Sequence, residues 1–342
     1  MTNQGSHSEA QPASLIAGAQ SGRPRDAGVC TGCGAPFLPR DRYCEACGAT
    51  LPKLDVQAQT VCRSCGGPVG GDGYCGACGV RDEQPGLEHD EIDLGWIGAV
   101  TDRGRHHRIN EDAMAVATEG GTVMAVVCDG VSSTPGSARA SRNAADAALG
   151  VLRDTAAAAR DWSDAMVDAI EAARVAASLA PASDPGNPPA CTIVAAIGGP
   201  GKIVVGWLGD SRAYWLEATG GRRLTRDDSW GAECVAAGVM TADAAEADQR
   251  AHVITRWLGA DAPFFAPHVI DFDPPGAGSL VLCSDGLWNY GPTPEELARE
   301  ATGSAGEAAR RLCAFALAGG GHDNVTVVVA RLAKEVLDDL SP

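Results

Sequence analysis

The spacing of its cysteines constrains this chain more than any other feature. Of thirteen cysteines, eight crowd into residues 30–78 as four Cys-x-x-Cys pairs. They form a repeat: Cys30, Cys33, Cys44 and Cys47, then Cys62, Cys65, Cys75 and Cys78, with Tyr43 and Tyr74 just ahead of the second pair in each copy. A unit of about twenty residues cannot fold around an apolar core and needs a staple. Clustered Cys-x-x-Cys pairs in a chain without secretory features read as metal sites before disulfides. Four thiolates suit one tetrahedral Zn²⁺ and leave no position open, so such ions are structural. The expectation is two zinc ribbons, at 28–50 and 60–80, holding two Zn²⁺.

Charge bears on what these ribbons contact. Residues 28–80 carry four basic side chains (Arg40, Arg42, Lys53, Arg63) against four acidic ones (Asp41, Glu45, Asp55, Asp72). The formal net charge of the whole chain is -17. Without a positive field the phosphate-neutralising term of nucleic-acid binding is missing, so protein docking is the expected role. The N-terminus lacks a basic segment followed by an apolar run, and no stretch of about 18 apolar residues occurs, so neither a signal peptide nor a membrane span is expected. The expectation is a cytoplasmic protein.

The remaining organisation follows from composition. Residues 1–27, rich in Ser, Gly, Ala and Gln, have too few large apolar residues to offset ordering entropy and are expected to be disordered. Residues 81–92 are acidic and read as a linker. From 93 to 334 apolar β-type runs alternate with Gly turns and Ala-rich stretches. Runs at 96–104 and 113–130 read as strands, the second a hairpin broken at Gly120–Gly121. Helical spacing predicts two long helices over 137–159 and 161–179. Residues 191–198, 202–210 and 212–217 read as a three-strand meander, 231–248 as short helices on a flap, 252–259 and 279–286 as strands, 294–317 as two helices and 324–332 as a last strand. Two strand-rich halves separated by paired helices predict an α+β sandwich with helices outside.

Four motifs place carboxylates beside these strands: Asn110-Glu111-Asp112, Asp129-Gly130, Ser284-Asp285-Gly286 and Asp323-Asn324. Singly, an Asp-Gly is a turn signal. Joined in this order with Gly209-Asp210-Ser211-Arg212, Leu224-Thr225-Arg226-Asp227 and the run Ile254-Thr255-Arg256-Trp257-Leu258-Gly259, the set resembles the type 2C family of metal-dependent protein phosphatases over residues 94–332. The resemblance implies an α-β-β-α sandwich of two antiparallel sheets with two Mn²⁺ or Mg²⁺ ions at one end; hard oxygen ligands suit these ions. It implies that Asp129 bridges both ions, that the Gly130 carbonyl and Glu111 serve one, and that Asp285 and Asp323 hold the other. Asp112 then orients a water. The reaction implied is direct attack of water on a protein phosphoserine or phosphothreonine, opposing a serine/threonine kinase. Cys128 and Cys283 lie in apolar runs and read as core residues.

Three positions depart from the family pattern. Where the family carries an arginine that grips phosphate, this chain has His107 beside Arg108; the guanidinium offers the better bidentate grip. Gly130-Val131-Ser132-Ser133 replaces Gly-Met-Gly-Gly, and Val131 has no proton to give a leaving group. Asn289 replaces an aspartate that, with Asp210, serves a third metal in bacterial relatives, so Asp210 reads as either a weak ligand or a turn cap. These departures keep open the alternative of an inactive phosphatase that binds phosphoproteins.

Overall fold

The structure, a computed structural model, describes residues 28–29, 33, 36–37, 47 and 88–332, apart from 135, 159, 183, 200 and 219. The chain divides into two units, Met1–Asp82 and Glu83–Pro342. In the first, Gly28–Val29 (β1) pairs antiparallel with Pro36–Phe37 (β2), Gly28 opposite Phe37. Cys33 and Cys47 sit in exposed turns. The disorder expected over 1–27 and the other six cysteines of the repeat, and with them the completion of either zinc site, lie outside the described residues.

The second unit is built from strands apolar on both faces. Thr122–Cys128 (β6) sends Met124, Val126 and Cys128 to one side and Val123, Ala125 and Val127 to the other, all buried. Ile193–Gly199 (β8) alternates likewise. Such strands sit in the middle of layered structures, because each face needs its own cover. Together with Ala113–Glu119 (β5), Lys202–Leu208 (β9) and His268–Phe272 (β13), they form an antiparallel sheet in the order β13-β9-β8-β6-β5.

The facing sheet has six strands. It combines His89–Asp93 (β3), Ile97–Asp102 (β4), Arg212–Glu217 (β10), Gly220–Arg223 (β11), Gly278–Cys283 (β14) and Val325–Leu332 (β15) in the order β11-β10-β14-β15-β4-β3. Ile97, Trp215, Leu280, Leu282 and Val328 meet Val123, Val127, Val194 and Val205 between the sheets.

Helices close both outer faces. Ser137–Ala158 (α1) and Trp162–Ser178 (α2) cover the five-stranded sheet, and their alanines at 140, 144, 148, 169 and 173 let backbones approach closely. Met166 and Ile170 of α2 are fully buried there; burying such a side chain is worth about 1.5–3 kcal/mol. Pro294–Glu300 (α6) and Ala305–Gly319 (α7), each opened by a capping box, cover the six-stranded sheet through Leu297 and Leu312. The α-β-β-α order expected from the sequence is therefore observed. Among the described residues no helix is long and apolar enough to cross a membrane.

Three sequence readings change. Residues 89–92 are strand rather than linker: β3 pairs with β4, His89 opposite Asp102. It is an edge strand, where charge on alternate residues discourages pairing with other chains, and that charge makes it look like a linker. The meander is also wrong. β8 and β9 are neighbours, but β10 crosses to the other sheet and pairs with β14, because β13 occupies the far side of β9. Of the strand expected over 252–259, only Leu258–Gly259 (β12) forms a strand, against Ala190–Cys191 (β7), while Ile254 makes an isolated bridge to Ser229. Two short helices, Trp230–Ala236 (α3) and Ala242–Glu246 (α4), form the expected flap.

Candidate metal centre

The acids come from strand ends and turns at one end of the sandwich. Asp129 follows β6, Asp210 lies between β9 and β10, Asp285 follows β14 and opens a four-residue helix (Asp285–Trp288, α5), Asp323 precedes β15, and Glu111 and Asp112 precede β5. Glycine after an acid is required at two of these places by close approach. A Cβ on Gly130 would lie 2.5 Å from the carbonyl oxygen of Glu111, and one on Gly286 would lie 1.9 Å from that of Asn324. The two glycines thus let the acid-bearing segments touch.

Hydrogen bonds lock these segments. Asn324 accepts from the Glu111 amide at 2.7 Å and donates to the carbonyls of Arg103 (2.7 Å) and Ile109 (3.1 Å), tying the loop before β5 to the start of β15. Asn110 donates to Thr101 at 2.8 Å, and Thr101 meets Thr326 at 2.7 Å. The Ser284 hydroxyl donates to Oδ2 of Asp112 at 2.7 Å while accepting from the Thr326 amide at 3.0 Å. Asp129 is held by its backbone: its amide donates to the Thr192 hydroxyl at 3.3 Å, and its carbonyl accepts from the Thr192 amide at 2.8 Å. Thr192 in turn meets Ser211 at 2.7 Å.

The electrostatics of this arrangement are unfavourable on their own. Burial, then the charges of Asp112, Asp285, Asp210 and Asp323, push the Asp129 carboxyl well above the ordinary range. Burial raises Asp112 to about 7, with Asp285 and Asp323 adding to the effect. Asp210 rises to about 8 through burial and the neighbouring Asp285, and Asp285 to about 6 through burial and Asp323. Glu111 is also raised by burial, against a hydrogen bond from Ser132 and the nearby His107. A cluster that resists its own ionisation is one that a cation would relieve. The donors are all oxygen, which fits a hard divalent ion. Among the described residues no three His, Cys, Asp or Glu side chains stand arranged to hold a metal ion.

The sequence-predicted residues are brought together here, with refinements. Asp210 faces Asp285 and so belongs to the acid cluster; its carbonyl accepts from the Trp288 indole at 3.0 Å. His107 Nε2 lies 3.2 Å from Asp323 Oδ1, whereas Arg108 is exposed on the same loop. Asn289 is exposed and reaches Asp285 at 3.5 Å. Cys128 and Cys283 are wholly buried and burial pushes both thiols up, as core residues require. The supporting Thr192, Ser211 and Asn324 and the buried pair Arg212–Asp227 (2.7 and 3.0 Å) have no functional reading in the sequence analysis.

Comparison with known proteins points to one family. Residues 103–310 match the family described as Protein phosphatase 2C. The serine/threonine phosphatase stp of Listeria monocytogenes is 30% identical over 241 residues, covering 67% of this chain and 92% of that protein. The stp of Listeria welshimeri is 34% identical over 140 residues, 40% of this chain and 55% of that protein. Among solved structures, the PPM Ser-Thr phosphatase MsPP of Mycobacterium smegmatis, in complex with cacodylate, is 28% identical with a TM-score of 0.56, covering 69% of this chain and 98% of that one. The catalytic domain of the serine/threonine protein phosphatase PstP, in complex with two manganese ions, is 25% identical with a TM-score of 0.51, covering 69% and 96%. The fold and site define a metal-dependent phosphatase scaffold, and the chain belongs to the protein phosphatase 2C family.

Proposed function

We propose that this chain hydrolyses phosphoserine and phosphothreonine in proteins, using two Mn²⁺ or Mg²⁺ ions. The carrying observation is the cluster of Asp129, Asp210, Asp285, Asp323, Glu111 and Asp112, whose neighbouring charges and burial oppose ionisation. The kinship with stp and with the manganese-bound PstP domain supports the same reading. Asp129, the Gly130 carbonyl and Glu111 would hold one ion, and Asp129, Asp285 and Asp323 the other. Two such ions lower the pKa of a water and neutralise charge on the entering and leaving oxygens.

The chain's own side chains supply the positioning. Asp112, fixed by Ser284, orients the attacking water. Arg108 grips the substrate phosphate, while His107 steadies Asp323. Neither Cys128 nor Cys283 takes part, since both are buried with raised pKa values. Residues 28–50 and 60–80 form two zinc ribbons that dock a protein partner, in a cytoplasmic protein that opposes a serine/threonine kinase. The test is hydrolysis of p-nitrophenyl phosphate and of phosphoserine and phosphothreonine peptides with Mn²⁺, with and without EDTA. Turnover that persists unchanged in EDTA contradicts the proposal.

A further inference from the structure

A cleft of about 480 Å³ opens between the flap helices α3 and α4 and the segment that follows β11. The flap side is walled largely by small residues, among them Ala232, Ala242 and Ala245. The opposite side carries Arg212, Arg223 and Arg226, and His252 stands at the rim.

The charges inside the cleft do not cancel. Its carboxylates are Asp227 and Glu246. Asp227 is consumed by Arg212, which binds it through two nitrogens at 2.7 and 3.0 Å, and is also approached by Arg223 at 3.4 Å. Glu246 lies 3.5 Å from His252. The Arg226 guanidinium has no carboxylate within ion-pair distance among the described residues; only its backbone carbonyl is engaged, by the Trp207 indole. Arg223, shared with an already satisfied Asp227, has donors to spare.

The cleft adjoins the acid cluster through one aromatic wall. Arg212 lies 3.5 Å over the Trp288 ring, His252 lies 5.7 Å from it, and the Trp288 indole donates to the Asp210 carbonyl. Buried Arg212 and Trp288 thus link the cleft to the turn that carries Asp210.

We propose that this cleft recognises an anionic side chain of the substrate, a carboxylate or a second phosphate, with Arg226 as the specificity-determining residue and Arg223 assisting. The inference rests on the phosphatase reading of the acid cluster. Arginine suits both anions because its planar fork donates two parallel hydrogen bonds.

The experiment compares the full chain with Arg226→Gln and Arg226→Glu in Mn²⁺. Four phosphothreonine peptide series carry neutral residues, aspartates, a second phosphoserine or lysines beside the target. The wild type is expected to favour acidic over neutral peptides by about tenfold in kcat/KM, the loss expected for a charge-assisted pair. Arg226→Gln should reduce that ratio to near unity through KM, Arg226→Glu should shift preference to the lysine series, and p-nitrophenyl phosphate turnover should stay unchanged in both. The aspartate and phosphoserine series tell which anion fits better. Ratios equal in all three proteins overturn the proposal, as does p-nitrophenyl phosphate turnover falling in step with peptide turnover. Should no protein turn over p-nitrophenyl phosphate, the phosphatase reading fails instead. Binding of the same labelled peptides by fluorescence anisotropy then decides the cleft on the same ratios.

Discussion

Replacing Asn324 by alanine should both destabilise the protein and weaken its metal centre. The side chain is 2% exposed and makes three hydrogen bonds to backbone groups: the Glu111 amide and the carbonyls of Arg103 and Ile109. A typical hydrogen bond is worth about 1 kcal/mol net, so losing all three costs about 3 kcal/mol. For a domain of this size each kcal/mol moves Tm by about 2–4 °C, which gives a fall of about 6–12 °C. The freed loop carries Glu111, so the Mn²⁺ concentration for half-maximal activity should rise about tenfold while activity at saturating Mn²⁺ recovers in part. Asn324→Asp should be worse than alanine below saturating Mn²⁺, because it sets a carboxylate against two carbonyl oxygens. Thermal unfolding by circular dichroism and a Mn²⁺ titration read these effects. A Tm within 1–2 °C of wild type, by the same scale, or an unmoved Mn²⁺ midpoint refutes the reasoning.

The raised acids make metal-free stability depend on pH. Asp285, Asp112 and Asp210 titrate near 6, 7 and 8 in the fold, above their unfolded value, so the folded state holds extra protons. Stability in EDTA should therefore fall as pH rises from about 4 to about 8, and the Tm gain on adding Mn²⁺ should grow over the same range; an equal gain at pH 5 and pH 8 speaks against it. Metal analysis should find two zinc ions per chain, and deletion of residues 1–85 should remove both while sparing turnover of p-nitrophenyl phosphate; zinc retained after truncation contradicts the ribbons. Arg108→Ala should raise KM about tenfold, the worth of a charge-assisted phosphate contact, whereas His107→Ala should act mainly on Mn²⁺ dependence through Asp323; a silent Arg108→Ala reverses that assignment.

Much of this architecture was readable from residues because the informative signals were strong ones. β-branched runs such as 123–127 and 325–329 are buried on both faces, and the alanine spacing of 137–158 suits a helix lying close to a sheet. The acids were legible because they sit in short motifs beside strands, and at Asp129 and Asp285 the following glycine is one that close approach demands. The edge strand β3 was not, since its alternating charges serve solubility and hide its pairing. The crossing of β10 to the other sheet was not either: Gly209–Asp210 has the composition of a hairpin turn, and which sheet a strand joins is decided by neighbours distant in sequence. Thr192 lies in no motif, and although Ser211 and Asn324 lie in two of them, the supporting roles of all three follow only from what the fold sets beside them.

The central claim is that the acid cluster is a catalytic metal centre, and Asp129→Asn tests it most directly. Its carboxyl is the one most crowded by like charges, so a neutral amide should leave the metal-free protein as stable as wild type or more so at pH 8. Measured on a phosphothreonine peptide with saturating Mn²⁺, the account predicts a loss of about 100-fold or more in kcat, equivalent to about 2.7 kcal/mol or more of transition-state stabilisation. A folded Asp129→Asn protein that keeps wild-type turnover would contradict it.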